Sequence, residues 1–373
     1  MVFGKLKLCF LGTAASIHTL KWASYFAMMG HETHICSYEP VLLGYDLGDI
    51  KFHLLKKRVV INTWPFNSII NLPFARKIIK KLIREIKPDI LHSHYVTSYG
   101  SLGVLSGFHP FVLTAWGSDI LLAPQKFLPS KLSVKLYLKK ADLITCDAKH
   151  MKEAIIRLGA DEKKIEVINF GIDTEKFKPS SKNDTLIKKL GLTDEKIIIS
   201  LRNLDPIYDI KTLIASIPAV VENHPNTKFV IVGQGSQEEE LKNLAKDLRI
   251  LDKTIFIGAV PNGEIPSYLR ISDIYVSTSP CDGGIASSTA EAMASGLPVI
   301  VTNIGDNKEW VQPDMLFEAG GNEVLSEKII QLLENEKMRK DIGQQNREKI
   351  IKDNDYNNEM ARMEKLYYKL INK

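Results

Sequence analysis

The stretch SPCDGGIASSTAEAMASGLPVIVT (279–302) decides the reading of this chain. It follows an apolar strand pattern, IYVST (274–278), and itself reads as glycine-bearing loop, helix, glycine and strand. The loop is Asp282-Gly283-Gly284, the helix opens near Ser287-Ser288, and Gly296 closes it before PVIVT. A helix that opens out of a Gly-Gly loop offers free backbone N–H groups and a positive dipole end, which suits a phosphate. Glu291, one turn in, repels phosphate but accepts hydrogen bonds from sugar hydroxyls. One segment therefore points to a ligand with both parts, such as a nucleotide-sugar.

The same grammar runs outward in both directions. The first half alternates strand patterns at 5–11, 32–37, 89–94, 111–115 and 141–146 with helical patterns near 18–29, 69–87, 97–106 and 148–158. The second half repeats it, with strands at 196–201, 228–233, 254–258, 273–278 and 298–302 and helices near 209–221, 237–249, 264–271 and 287–295. Alternation with near-continuous apolar strands predicts parallel sheets buried on both faces. The fold class is thus α/β, with two doubly wound, Rossmann-like domains. The polar stretch 177–191 marks the boundary, giving domains 1–180 and 181–352. A last amphipathic helix, 353–373, carries Met360, Met363, Leu366, Tyr367 and Leu370 at helical spacing and is expected to pack back on the first domain.

At 373 residues the chain exceeds the size at which one core stops growing, consistent with two domains. Cys9, Cys36, Cys146 and Cys281 show no metal-ligand spacing, so no metal, no disulfide and a reducing cytoplasmic setting are expected. Residues 1–180 hold 25 Lys+Arg against 15 Asp+Glu, a balance of +10, while the rest hold 24 against 29, a balance of −5. A basic first half suits an anionic partner, or is a solvated face. Without interleaved aromatics or a known motif, nucleic acid is not expected. The helix pattern RKIIKKLIREIK (76–87) sets isoleucines and a leucine on one side and six basic residues on the other. Its apolar side fits packing on the sheet, and its basic side fits an anionic membrane, which would place the protein on the inner face of the cell membrane.

Ligands in doubly wound sheets sit beyond the carboxyl ends of the strands. Gly12 follows the first strand in LGTAAS, either facing a ligand or making a tight turn; GxGxxG is missing, which argues against NAD. Arg202 ends the strand IIISL, where it can neutralise a diphosphate or pair on the surface. Gly233 ends another in IVGQGS. His92 and His94 lie i, i+2 in LHSHY and read as cleft-lining or packed side chains. His18 near the first helix start, and Trp116 and Asp119 in a post-strand loop, are acceptor-side candidates, with an N-cap role as the rival for Asp119.

These residues together resemble the family 4 glycosyltransferases, which have the GT-B fold. The marks are Gly12, VINFGIDTEKFKP (167–179), SLRNLDPI (200–207), GQGSQEEEL (233–241), FIGAV (256–260) and EAMASGLPVIVTNIGDNKEWV (291–311). The resemblance implies two domains facing across a cleft. It implies retaining transfer of a hexose or N-acetylhexosamine from a nucleoside-diphosphate-sugar, UDP ahead of GDP or ADP, with no cofactor. The acceptor would be a glycan, a lipid-linked sugar or a polysaccharide precursor. By position, Glu291 would hold the ribose, Arg202 the diphosphate, and Gly12 would let backbone approach phosphate and sugar. Gly233, Gly284, Ala286, Ser287 and Ser288 would complete the donor site, and His94 and Trp116 would lie on the acceptor side. Asp282, Asp119 and His18 are the catalytic candidates.

Three positions depart from the family pattern. The Glu expected eight residues before Glu291 is Gly283, with Asp282 beside it. The Lys expected five residues after Arg202 is Ile207, the nearest lysine being Lys211, and Trp116 stands where many members place a His. A nucleotide-sugar-binding protein with weakened catalysis, or an epimerase on the same fold, are the alternatives these departures leave.

Overall fold

A computed structural model of the chain describes residues 4–55, 65–282 and 284–372. They form two compact units: Met1–Phe170 with Asn358–Lys373, and Gly171–Asn357.

The first unit is built on a seven-stranded parallel sheet. Its strands are β1 (Lys7–Leu11), β2 (Glu32–Ser37), β3 (Lys51–Leu54), β4 (Ile90–His94), β5 (Phe111–Thr114), β6 (Leu143–Cys146) and β7 (Ile165–Val167). They lie in the order β3-β2-β1-β4-β5-β6-β7. The second unit has β8 (Lys196–Ser200), β9 (Thr227–Val232), β10 (Thr254–Gly258), β11 (Ile274–Ser277), β12 (Val299–Thr302) and β13 (Leu316–Phe317), in the order β10-β9-β8-β11-β12-β13. Every strand pairing is parallel, for example Leu8 opposite Ile90 and Ile274 opposite Ile198. Strands such as IIIS and VIVT are buried along both faces, which is why they read as unbroken apolar runs. In each unit the order reverses beside the first strand. The switch points lie between β1 and β4 and between β8 and β11, and at these points loops part to leave a crevice.

Three strands escape the sequence reading: β3, β7 and β13. Each has two to four residues and incomplete burial, so no apolar run announces it. The helix Leu128–Lys140 and the short turns Ser118–Leu121 and Ala123–Lys126 also go unannounced. The long helix Pro65–Ile86 matches its pattern, with Ile79, Ile83 and Ile86 buried in the core and Arg76, Lys77, Lys81 and Arg84 exposed.

The unit boundaries fall at 170/171 and 357/358, not at 180/181 and 352/353. Hydrogen bonds explain the shift. Ile172 N–H donates to Asn354 O at 2.8 Å, Tyr356 N–H to Ile172 O at 2.9 Å, and Thr174 Oγ1 to Asp355 Oδ2 at 2.6 Å. The Arg347 guanidinium also binds the carbonyl of Phe177 at 3.0 Å. These contacts tie 171–177 to the end of the helix Glu336–Asp353. The polar run after them leads into a small helix, Asp184–Lys189, capped by Asn183.

The final helix, Tyr356–Ile371, belongs to the first unit from Asn358 onward. Met360, Met363 and Tyr367 are buried. Tyr367 Oη meets His92 Nδ1 at 2.6 Å, Glu364 Oε1 meets His31 Nε2 at 2.8 Å, and Tyr368 Oη donates to Gly4 O at 2.8 Å. Among the described residues no helix is long and apolar enough to cross a membrane.

In the second unit the helix Glu336–Asp353 crosses the turn after Ser287–Ala294 at Gly343. A Cβ there would stand 2.0 Å from Gly296 O, a backbone atom that cannot swing away. Helix propensity favours alanine by about 1 kcal/mol. Forcing the backbones apart costs roughly 1–3 kcal/mol. With a backbone carbonyl in the way the cost should fall at the upper end of that range, so Gly343→Ala should lose up to about 2 kcal/mol net, read as a lower urea midpoint at unchanged slope; an unchanged midpoint would show that the crossing has slack.

Candidate functional site

In the second unit the carboxyl ends of β8, β9 and β11 gather the candidate residues. Arg202 follows β8 and is only 8% exposed. Its guanidinium reaches Asp282 Oδ1 at 2.5 Å and lies 4.6 Å from the centre of the Tyr208 ring. Among the described residues its Nε finds no acceptor, which leaves one buried donor unused. Ser279 Oγ also donates to Asp282, at 3.3 Å. The 3₁₀ turn Pro206–Tyr208 is tethered from the end of β11, since Thr278 Oγ1 donates to Tyr208 O at 3.0 Å. Tyr208 thus covers the guanidinium from the stretch where the family places its lysine. Ile207 is exposed, and Lys211 points to solvent from the helix Ile210–Asn223.

Gly233 serves this arginine. Its φ is +150°, and a Cβ would meet Arg202 O at 2.2 Å. Gly235 lies equally close to Leu204, with a Cβ 2.4 Å from its carbonyl. Asp205 Oδ1 accepts from Ser236 N–H at 2.9 Å and from its hydroxyl at 2.8 Å, closing one loop on the other. The two glycines let the β9 loop lie directly on the backbone that carries Arg202.

Beyond Asp282, Gly284 leads to Ala286, the N-cap of the helix Ser287–Ala294. Ala286 supplies no side-chain cap, so the first N–H groups of the helix lack that partner. Ser288 Oγ meets Tyr275 Oη at 2.8 Å, and Thr289 Oγ1 donates to the same phenol at 3.4 Å. Burial raises the Tyr275 phenol above its ordinary range, so it stays protonated and anchors the helix start. Ala286, Ser287, Ser288 and Glu291 are all half-buried. Gly283 lies outside the described residues. The assembled features are an arginine with a spare donor, an uncapped helix start and two carboxylates, a set suited to a diphosphate flanked by hydroxyl-bearing groups.

In the first unit the corresponding ends are β1, β4 and β5. Gly12 is buried, and a Cβ would stand 2.9 Å from Thr19 and 3.3 Å from His94 Cβ, so close packing explains the glycine. His94 lies in an aromatic cluster 5.2 Å from Trp22, 5.6 Å from Trp116 and 4.7 Å from His92. His92 is bonded on both nitrogens, to Tyr367 and to Thr114, each at 2.6 Å. His94 is buried with neither nitrogen bonded among the described residues. Burial lowers it to about 3, so it stays neutral. His18, half-buried, packs 5.0 Å from Trp116, and burial followed by Lys21 lowers it as well.

Asp119 needs correction as a catalytic candidate. It is 0% exposed, and its two oxygens accept backbone N–H groups of Val96 at 2.7 Å and Trp116 at 3.1 Å. Burial raises it to about 6. It fixes the loop that carries Trp116 and does not face an acceptor. The N-cap of its helix is Gly117, not Asp119. Nor does His94, enclosed in its cluster, present a surface to an acceptor; His18 and Trp116 remain partly accessible. Sequence reasoning missed Tyr208, Tyr275 and Trp22. Only Tyr208 carried a signal, standing beside the place of the absent lysine.

Residues 182–349 match the family described as Glycosyl transferases group 1, and residues 7–148 match Glycosyl transferase 4-like. The chain is 25% identical to the N-acetyl-alpha-D-glucosaminyl L-malate synthase of Bacillus anthracis, over 92% of this chain and 91% of that one. It is 31% identical to the UDP-Gal:alpha-D-GlcNAc-diphosphoundecaprenol alpha-1,3-galactosyltransferase of Escherichia coli, over 61% of each. The fold matches that of Anabaena Alr3699/HepE, solved in complex with UDP, with a TM-score of 0.80 at 17% identity, over 98% of this chain and 100% of that one. These likenesses favour a transferase over an inactive binding protein or an epimerase.

The buried ionisable groups fix a pH dependence. His94 falls from an ordinary 6.5 to about 3, so the folded state binds fewer protons than the unfolded state between these values. Stability is complete above 6.5 and drops as pH falls, by about 1.4 kcal/mol per pH unit. Asp119 acts in the opposite sense over a narrower window, from 3.8 to about 6. His92, lowered well below its ordinary value by burial and then by His94, acts in the same sense as His94, so the two histidines together dominate the acid limb. Acid unfolding followed by circular dichroism should be less steep in His94→Leu; an identical profile would mean that His94 is not held neutral.

Proposed function

Because this chain is a group 1 glycosyltransferase that uses a nucleotide-sugar, we propose that it moves a hexose or N-acetylhexosamine from a UDP-sugar to a lipid-linked or glycan acceptor, with retention at the anomeric carbon. The observation that carries this reading is the Arg202–Asp282 pair beside the uncapped start of Ser287–Ala294. Arg202 and the helix N–H groups would hold the diphosphate, and Glu291 the ribose hydroxyls. A diphosphate carries more charge than Asp282 and adds hydrogen bonds to the spare Nε and the helix start. It would displace the carboxylate from Arg202 and leave Asp282 beside the sugar, where the family pattern expects a Glu. Transfer would break the bond from the anomeric carbon to phosphate oxygen, form one to the acceptor oxygen, and pass the acceptor's hydroxyl proton to the departing diphosphate. Catalysis would rest on positioning and on stabilising charge on the departing diphosphate, with no protein nucleophile and no metal.

UDP is favoured because the Anabaena neighbour was solved with UDP and the Escherichia coli relative is named for UDP-Gal. The diphosphoundecaprenol in that second name supports a lipid-linked acceptor. His18 and Trp116 are the acceptor-side residues, and the basic face of 76–87 would lie toward anionic lipid.

Calorimetry with UDP-, GDP- and ADP-sugars tests the donor reading, and failure to bind any of them would overturn it. Arg202→Ala should weaken UDP binding about 10- to 100-fold, the value of hydrogen bonds to a charged group. Asp282→Asn separates the two roles of that residue: UDP should bind more tightly as its competitor is lost, while transfer falls. Weaker UDP binding in Asp282→Asn would sink the exchange.

A further inference from the structure

The helix Leu128–Lys140, LPSKLSVKLYLKK, carries two apolar stripes where packing needs one. Ser130, Val134 and Leu138 recur every four residues and are buried against the core of the first unit. Leu128, Leu132 and Leu136 repeat the same spacing on the other side and are 67%, 58% and 48% exposed. At about 100° per residue the second stripe lies on the order of 160° from the first. Leu122, one short helix ahead in the chain, is 56% exposed as well. Contiguous exposed leucines of this kind mark a face that is covered in use.

The surrounding charge says what covers it. Residues 122–140 hold five lysines and neither Asp nor Glu. Lys131, Lys135 and Lys139 run along the leucine stripe, Lys126 and Lys140 stand near its ends, and all five are exposed. A second copy of this chain would set lysines against lysines. An anionic bilayer suits both features: leucines enter the boundary between headgroups and acyl chains, while lysine stems lie alongside and their ammonium groups reach the headgroups. With 13 residues the helix is far too short to span, so it would lie in the membrane plane.

We propose that the helix Leu128–Lys140, with Leu122, docks this enzyme on an anionic lipid surface. The inference rests on the membrane reading above and relocates its main contact. In the 76–87 segment Ile79, Ile83 and Ile86 are spent in the core, leaving charge alone. The helix Tyr99–Ser106 packs against both basic helices, so the 76–87 segment belongs to the same layer and adds charge to the same side of the sheet.

Co-sedimentation of the full chain with vesicles of phosphatidylglycerol and phosphatidylcholine, and with phosphatidylcholine alone, tests this. The wild type should bind only the anionic vesicles. Leu128→Ser/Leu132→Ser/Leu136→Ser should lower the partition coefficient about tenfold or more, since binding scales with apolar area buried. Its melting temperature and UDP affinity should match the wild type. Lys131→Gln/Lys135→Gln/Lys139→Gln should lower it as well, and Arg76→Gln/Lys77→Gln/Lys81→Gln should lower it less than the leucine variant does. No binding by the wild type would overturn the membrane reading altogether. Undiminished binding by the leucine variant would overturn this assignment alone. A wild-type dimer that the leucine changes convert to monomer, with vesicle binding intact, would make the stripe a self-interface and also overturn it.

Discussion

A parallel strand buried on both faces has no side chain left over for chemistry. Residues such as Ile198, Ile199, Val276 and Val301 are all consumed by the core. Polar work is pushed to the strand ends, where the chain must turn and backbone groups emerge. Of the two ends, the carboxyl side receives helix N-termini and their positive dipoles. This constraint acts twice in one chain. It explains why Gly12, Arg202, Gly233 and Asp282, far apart in sequence, all stand in the loops beyond the carboxyl ends of β1, β8, β9 and β11.

The second unit uses that constraint to hold charge in waiting. Arg202 is held by a carboxylate, an aromatic face and the backbone of one loop that carries two glycines. Burying an arginine without a partner is far costlier than burying it paired. Asp282 thus acts as a stand-in anion that keeps the guanidinium aimed. The first unit solves a different problem with neutral groups. Its histidines, His92 and His94, are packed among Phe10, Trp22 and Tyr367 and behave as polarisable core.

The sheets were legible in the sequence because double burial writes itself as apolar runs, as in IIIS and VIVT. The glycine-bearing loop and helix at 282–294 were legible because backbone geometry demands particular residues there. Asp119 was not. A post-strand aspartate reads alike whether it faces a cleft or turns inward to bind Val96 and Trp116 N–H groups. Nor was Tyr208 legible as a partner of Arg202, since a tethered turn brings them together and no local pattern encodes it. The Leu128–Lys140 helix escaped because two apolar stripes blur the single-faced periodicity by which helices are recognised.

The chain leaves its first unit at Phe170 and re-enters it only at Asn358. Tyr367 supplies the buried hydroxyl that His92 needs, and Glu364 supplies the partner of His31. During synthesis these residues are made only after the whole of the second unit. The second unit is contiguous and can close while the first still lacks a wall, so the order of completion inverts the order of translation. For the interval in which 358–373 remain in the ribosome tunnel, the apolar surface over Phe26 and His92 stays open. A nascent chain of this architecture therefore has its longest exposure to aggregation or chaperones in the unit whose translation began before the other's.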